Sequence, residues 1–95
     1  MIFVINNLKY DTDKMELISD KCEYTYTYST ILLGSVKYSG KNVKVWKSKK
    51  NNWLLTYERD YTTCGVYLLE VKAKELLLKY DVEAYEKIFG QLEEA

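Results

Sequence analysis

The sequence predicts an α+β domain: an antiparallel β-sheet of four to six strands, with one N-terminal helix and a C-terminal helical pair packed on it. Three observations carry that expectation. Val43 to Glu58 reads as two alternating strands around a Lys- and Asn-rich turn, which is a hairpin signal. Tyr24-Thr25-Tyr26-Thr27-Tyr28 alternates strictly among residues that favour strands. From Ala73 onward the apolar residues recur at helical spacing. The 95 residues make one domain, 1–95, large enough to bury roughly 65% of its unfolded surface without staples.

Taken in order, Ile2 to Ile5 is a short apolar run, and Asn6-Asn7 offers a tight turn because Asn tolerates positive φ. Asp11-Thr12-Asp13 supplies a cap and acidic first-turn residues for a helix over about 12–22, with Met15, Ile18 and Cys22 as its stripe. The Tyr-Thr strand follows, Ile31-Leu32-Leu33 extends it, and Gly34 marks a bulge or bend. Val36 to Tyr38 resumes the strand, and Ser39 to Asn42 turns into the central hairpin.

In that hairpin a five-residue loop, Ser48 to Asn52, sets the register. Val45 faces Leu55, Val43 faces Tyr57 and Lys47 faces Trp53, while Trp46 faces Leu54 and Lys44 faces Thr56 on the other side. Each face therefore carries a Trp and aliphatics, so at least one side should be covered. Arg59 to Gly65 reads as a loop, and Val66 to Val71 as an interior strand. Ala73, Leu76, Leu77 and Tyr80 stripe one helix, with Lys74 and Lys79 facing solvent. Asp81 caps a second, in which Val82, Tyr85, Ile88, Phe89 and Leu92 recur and Gly90 falls near the end. The expected core is Ile18, Val43, Val45, Trp53, Leu55, Leu68, Leu76, Leu77, Tyr85 and Phe89.

Charge narrows the function. Formal net charge is zero, but residues 1–50 hold nine Lys against five acids, and residues 51–95 hold five basic residues against nine acids. No acid occurs between Tyr24 and Tyr57. Such a chain is unlike a strongly basic nucleic-acid binder and unlike an acidic mimic of nucleic acid. With no His, imidazole bases and His-containing zinc sites are gone. Cys22 and Cys64 are isolated, so free thiols are expected, and the four glycines form neither a P-loop nor a dinucleotide fingerprint. The expectation is no enzyme, no cofactor and no metal. The N-terminal run is too short for a signal peptide and no run approaches a membrane helix, so a cytoplasmic protein is expected.

Protein binding is then the leading class. Ten Tyr exceed what so small a core easily buries with its hydroxyls satisfied, and Tyr is enriched at interface cores. The candidate contacts are Lys44, Trp46, Lys47, Lys49, Lys50 and Asn51 of the hairpin, Tyr24 and Tyr26 of the alternating strand, and the acidic pole Glu83, Glu86, Glu93 and Glu94. Nucleic-acid binding is the alternative: the lysines of 41–50 surround Trp46 and Tyr38, joining cations to a stacking surface. The single Arg59 weighs against it, since bidentate readout is scarce. A homodimer is a further option.

Three segments also resemble a group of small proteins carried on prophages and conjugative elements of Gram-positive bacteria. Lys9-Tyr10-Asp11-Thr12-Asp13-Lys14-Met15-Glu16-Leu17-Ile18 resembles their opening. Trp46 to Leu55 resembles their aromatic–basic hairpin, with Asn51 where Gly is usual. Val82 to Ala95 resembles their closing helix, ending in Phe-Gly and acids. The resemblance implies a setting and no residue roles: mobile-element cargo, where small domains often inhibit host defence enzymes. The implied function is a non-enzymatic inhibitor of a host nuclease, of the anti-CRISPR type, with a CRISPR effector as partner.

Overall fold

The structure, a computed structural model describing residues 1–95, runs β1 (Ile2–Ile5), β2 (Leu8–Asp11), a 3-10 turn (Thr12–Lys14), β3 (Glu16–Ser19), β4 (Thr25–Thr30), β5 (Gly34–Ser39), β6 (Lys41–Lys47), β7 (Trp53–Arg59), β8 (Thr62–Leu68), α1 (Glu70–Tyr80) and α2 (Val82–Phe89). The class is α+β with antiparallel sheets. The β6–β7 hairpin is its centre, flanked in the order β3-β6-β7-β8. Val45 pairs Leu55, Trp46 pairs Leu54, Lys47 pairs Trp53 and Lys44 pairs Thr56, which is the predicted register. The ladder is irregular between Lys41 and Lys44, so the expected pairing of Val43 with Tyr57 is lost there. At the turn, Asn51 takes φ 64°, the left-handed backbone that usually calls for Gly and that Asn tolerates.

Both faces of this sheet are covered. On one, Val43, Val45, Trp53, Leu55 and Tyr57 meet Ala73 and Leu77 of α1 and Ala84 of α2. Phe89 stacks on Trp53 at 5.8 Å and packs against Tyr85 at 5.1 Å. Of the expected core, Val43, Val45, Trp53, Leu55 and Leu77 are buried, and Ile18, Leu68, Leu76, Tyr85 and Phe89 pack against them partly buried. On the other face, Leu54 is fully buried and the Trp46 indole N–H donates to Thr56 Oγ1 at 2.9 Å. The β1–β2 hairpin lies over this side. The Phe3 ring sits so close to Gly65 that a Cβ there would stand 2.7 Å from it.

The helices join at a buried polar hinge. Asp81 accepts the Ser19 hydroxyl at 2.7 Å through Oδ2 and the Ala84 N–H at 3.2 Å through Oδ1. One carboxylate thus caps α2 and ties it to the end of β3. Burial opposes its charge, but these two hydrogen bonds and the charge of Lys21 outweigh burial and hold the carboxyl below its ordinary value.

Four expectations need correction. The N-terminal helix over 12–22 is absent: Asp11 does cap, but only a three-residue 3-10 turn, after which β3 pairs with β6. An isolated helix that short is marginal in water, and the open edge of β6 offers backbone partners instead. A single sheet of four to six strands is replaced by eight strands in three sheets, one four-stranded and two of two strands. The loop at 59–65 is a tight turn at Asp60-Tyr61 between β7 and β8, and the strand read over 66–71 ends at Leu68. The last helix ends at Phe89 with Gly90 at φ 99°, so Leu92 lies outside it and exposed.

Candidate functional site

The arm formed by β4 and β5 departs most from ordinary packing. It is a two-stranded sheet paired from Thr25–Ser39 to Thr30–Gly34 and hydrogen-bonded to no other strand. Six residues per strand make it about 20 Å long, and the molecule measures 49 × 35 × 21 Å. Its tip is Ile31-Leu32-Leu33, where Thr30 Oγ1 accepts the Leu33 N–H at 2.9 Å and Gly34 turns back at φ 69°. The tip side chains are 103%, 93% and 76% exposed. Turns ordinarily hold polar residues that satisfy the backbone. Three aliphatics held in water at the end of an arm incur a hydration cost with nothing inside the chain to offset it.

A lone two-stranded hairpin is marginal, and here aromatic stacking steadies it. Tyr57, on the sheet, packs against Tyr24 at 4.9 Å and stacks on Tyr26 at 5.3 Å. Tyr26 stacks on Tyr38 at 5.8 Å, and Tyr38 meets Tyr28 edge-on at 6.4 Å. The Arg59 guanidinium lies over Tyr28 at 4.2 Å and Tyr26 at 4.9 Å, a cation–π bracket between β7 and the arm. The base is fixed by the Gly40 N–H, which donates to the Tyr24 carbonyl at 2.8 Å. Burial pushes the Tyr57 phenol above its usual pKa, and neighbouring Cys64 adds to the effect. It stays neutral in the stack.

Beside Arg59, the Asp60-Tyr61 turn puts a Tyr at φ 63° with its side chain fully exposed. A non-Gly aromatic in that region is strained by about 1–2 kcal/mol, and it gains no contact within the chain. Tyr28, Tyr38 and Tyr61, Arg59 and the aliphatic tip thus occupy one end of the molecule. Tyr and Arg are the side chains most often found at binding hot spots.

The sequence-predicted residues divide into three groups. Tyr24 and Tyr26 form the base of the arm, half-buried against Tyr57. Lys47, Lys49, Lys50 and Asn51 sit at the β6–β7 turn, about 20 Å along the strands from the arm. Lys44 is half-buried one step beyond Val45. Trp46 is partly buried and hydrogen-bonded, and Trp53 lies in the core, so neither serves as an open stacking platform. Among the acids, Glu83 is exposed on α2, and Glu86 accepts the Leu92 N–H at 2.9 Å. Glu93 and Glu94 follow the helix in irregular chain. The carboxylates therefore do not line one helix face.

Sequence reasoning missed Tyr28, Ile31, Leu32, Leu33, Arg59 and Tyr61, and read Tyr38 only as a stacking surface beside the hairpin lysines, whereas it packs in the arm between Tyr26 and Tyr28. One signal was present: Gly34 placed after Ile31-Leu32-Leu33, between two strands of equal length, marks a turn with an apolar tip. Cys22 and Cys64 are free thiols, and burial raises the Cys22 pKa, which keeps it inert. No three Cys, Asp or Glu side chains converge as metal ligands would. No helix is long and apolar enough to cross a membrane. In comparisons with known proteins, no family model, no curated protein and no solved structure matches the chain.

Proposed function

We propose that this chain is a non-catalytic binding module that engages a partner protein through the β4–β5 arm. The partner class we assign is a host defence nuclease of the nucleic-acid-guided kind. The exposed Ile31-Leu32-Leu33 tip carries the reading, because it is costly in water and useful only inside an apolar recess. Burying three such side chains gains about 5–9 kcal/mol gross, at about 1.5–3 each. Association costs of 4–15 kcal/mol consume much of that. The tip therefore needs the flanking Tyr28, Tyr38 and Tyr61 as further contact area, with Arg59 already ordered by its stack.

The mobile-element resemblance supplies the partner class, and blockage follows from occupancy without chemistry. Effectors of that kind hold nucleic acid in basic channels, and the acids Glu83, Glu93 and Glu94 suit a secondary contact there. The test uses the protein as bait in lysate of the bacterial host, wild type beside a Leu32→Asp, Leu33→Asp variant. Recovery of a nuclease by wild type, its loss with the variant, and inhibition of that purified nuclease by the wild-type chain would support the reading. Equal recovery by both baits, or a stable homodimer as the sole product, would overturn it.

A further inference from the structure

At the far end of the central hairpin from the arm lies a cleft of about 950 Å³. It opens between the β6–β7 turn on one side and β2 with the 3-10 turn on the other. Five lysines line it: Lys9, Lys14, Lys47, Lys49 and Lys50. Lys9 and Lys14 are distant from the hairpin in sequence, and only the fold brings them to the opposite wall of the same cleft.

Asp11, Asp13 and Glu16 also line the cleft and offset this set only in part, three carboxylates against five lysines. Asp11 Oδ1 accepts the Asp13 N–H at 3.1 Å, and Asp13 pairs with the N-terminal ammonium at 3.6 Å. Glu16 stands opposite Lys47 in the β3–β6 ladder, and Lys47 also donates to Asn51 Oδ1 at 3.3 Å. Lys9, Lys14, Lys49 and Lys50 are exposed and belong to no ion pair. The backbone N–H groups of Lys49 and Lys50 also find no acceptor within the chain. Four free ammonium groups and two free amides around an open cleft are donors without an acceptor.

We infer that this cleft binds the phosphate backbone of a nucleic-acid strand, independently of base sequence. The ligand chemistry follows from what is absent as well as what is present. Both Trp side chains are turned into the body and Tyr10 is buried, so the cleft offers no aromatic face for a base. The lysines are point charges without the bidentate geometry of Arg, which suits phosphates and not base edges. Lysines spread over two walls match a strand carrying several phosphates better than one compact phosphate group. The inference does not depend on the partner assigned to the arm.

The test is fluorescence anisotropy with labelled random 20-nucleotide single-stranded RNA and DNA. If the four free lysines each meet a phosphate, the salt slope is about −0.7 per contact, or about −2.8. Affinity then falls about 50-fold between 50 and 200 mM salt. Changing Lys9, Lys14, Lys49 and Lys50 together to Ala should weaken binding at least tenfold. A control set, Lys37, Lys41, Lys79 and Lys87 to Ala, removes the same charge elsewhere and should leave most of the affinity intact. All eight side chains are exposed, so melting temperatures should match. Equal loss in the two sets would mean non-specific attraction and would overturn the site. So would no binding at 50 mM salt, or free ATP and pyrophosphate binding as tightly as the strand.

Discussion

Replacing Asp81 tests how one side chain ties sheet to helices. In Asp81→Ala two interactions go. Loss of the α2 cap, the 3.2 Å bond from the Ala84 N–H, costs about 1 kcal/mol. The Ser19 hydroxyl, itself buried, loses its 2.7 Å acceptor, at a further 1–3 kcal/mol or so. The expected total is about 2–4 kcal/mol. Asp81→Asn should cost less, because its carbonyl can still cap α2. Its amide cannot replace the second oxygen well, since the Ser19 oxygen already accepts the Lys21 N–H. The pH dependence gives an independent check. The folded pKa is depressed, so this stability is present above the unfolded value and is lost as pH falls through the folded one. With an unfolded value near about 3.9, the window lies below about pH 4. Urea unfolding at pH 7 and at several points from pH 5 to 2 measures both effects. The wild type should lose its advantage over Asp81→Asn across the acid range. Equal stabilities of wild type and Asp81→Ala at pH 7, or a difference that does not shrink in acid, would refute the hinge.

Three further outcomes follow from packing and strain. Phe89→Ala removes the ring stacked on Trp53 and should destabilise by about 3 kcal/mol, the low end for Phe because it is only partly buried; a native-like melting temperature would contradict this. Gly65→Ala drives a Cβ into the Phe3 ring and should cost about 1–3 kcal/mol in urea unfolding, relieved when Phe3 is also shortened to Leu. Tyr61→Asn should stabilise by about 1 kcal/mol, because Asn tolerates the left-handed backbone, while weakening partner binding. A variant that is both more stable and equally tight would remove Tyr61 from the site.

Much of the architecture was legible in the sequence because local signals and the tertiary fold agree there. The β6–β7 register follows from alternation plus a turn of fixed length, and Asp81 and Gly90 mark the ends of α2 by capping chemistry. Residues 12–22 failed because Met15, Ile18 and Cys22 fit helical spacing by coincidence. What decides that segment is the free edge of β6, a partner about 30 residues away that periodicity does not see. The two charge clusters divide similarly. Lys47, Lys49 and Lys50 were readable as a run, whereas Lys9 and Lys14 join them only through folding. The arm was half legible. The Tyr-Thr alternation indicated its strand, but continuous hydrophobicity hid the turn, since Ile31-Leu32-Leu33 looks like buried strand until Gly34 is placed at the start of β5.

The most direct measurement is site-specific photo-crosslinking. A photoreactive phenylalanine replaces Leu32 in one preparation and Lys79 on α1 in another, and each is mixed with the proposed partner nuclease, if the wild-type bait recovers one. Both positions are exposed, so neither replacement should disturb the core. The account predicts covalent adducts to the nuclease from position 32, mapped to an apolar recess on its surface, and few or none from position 79. Adducts from position 79 with none from position 32 would contradict it.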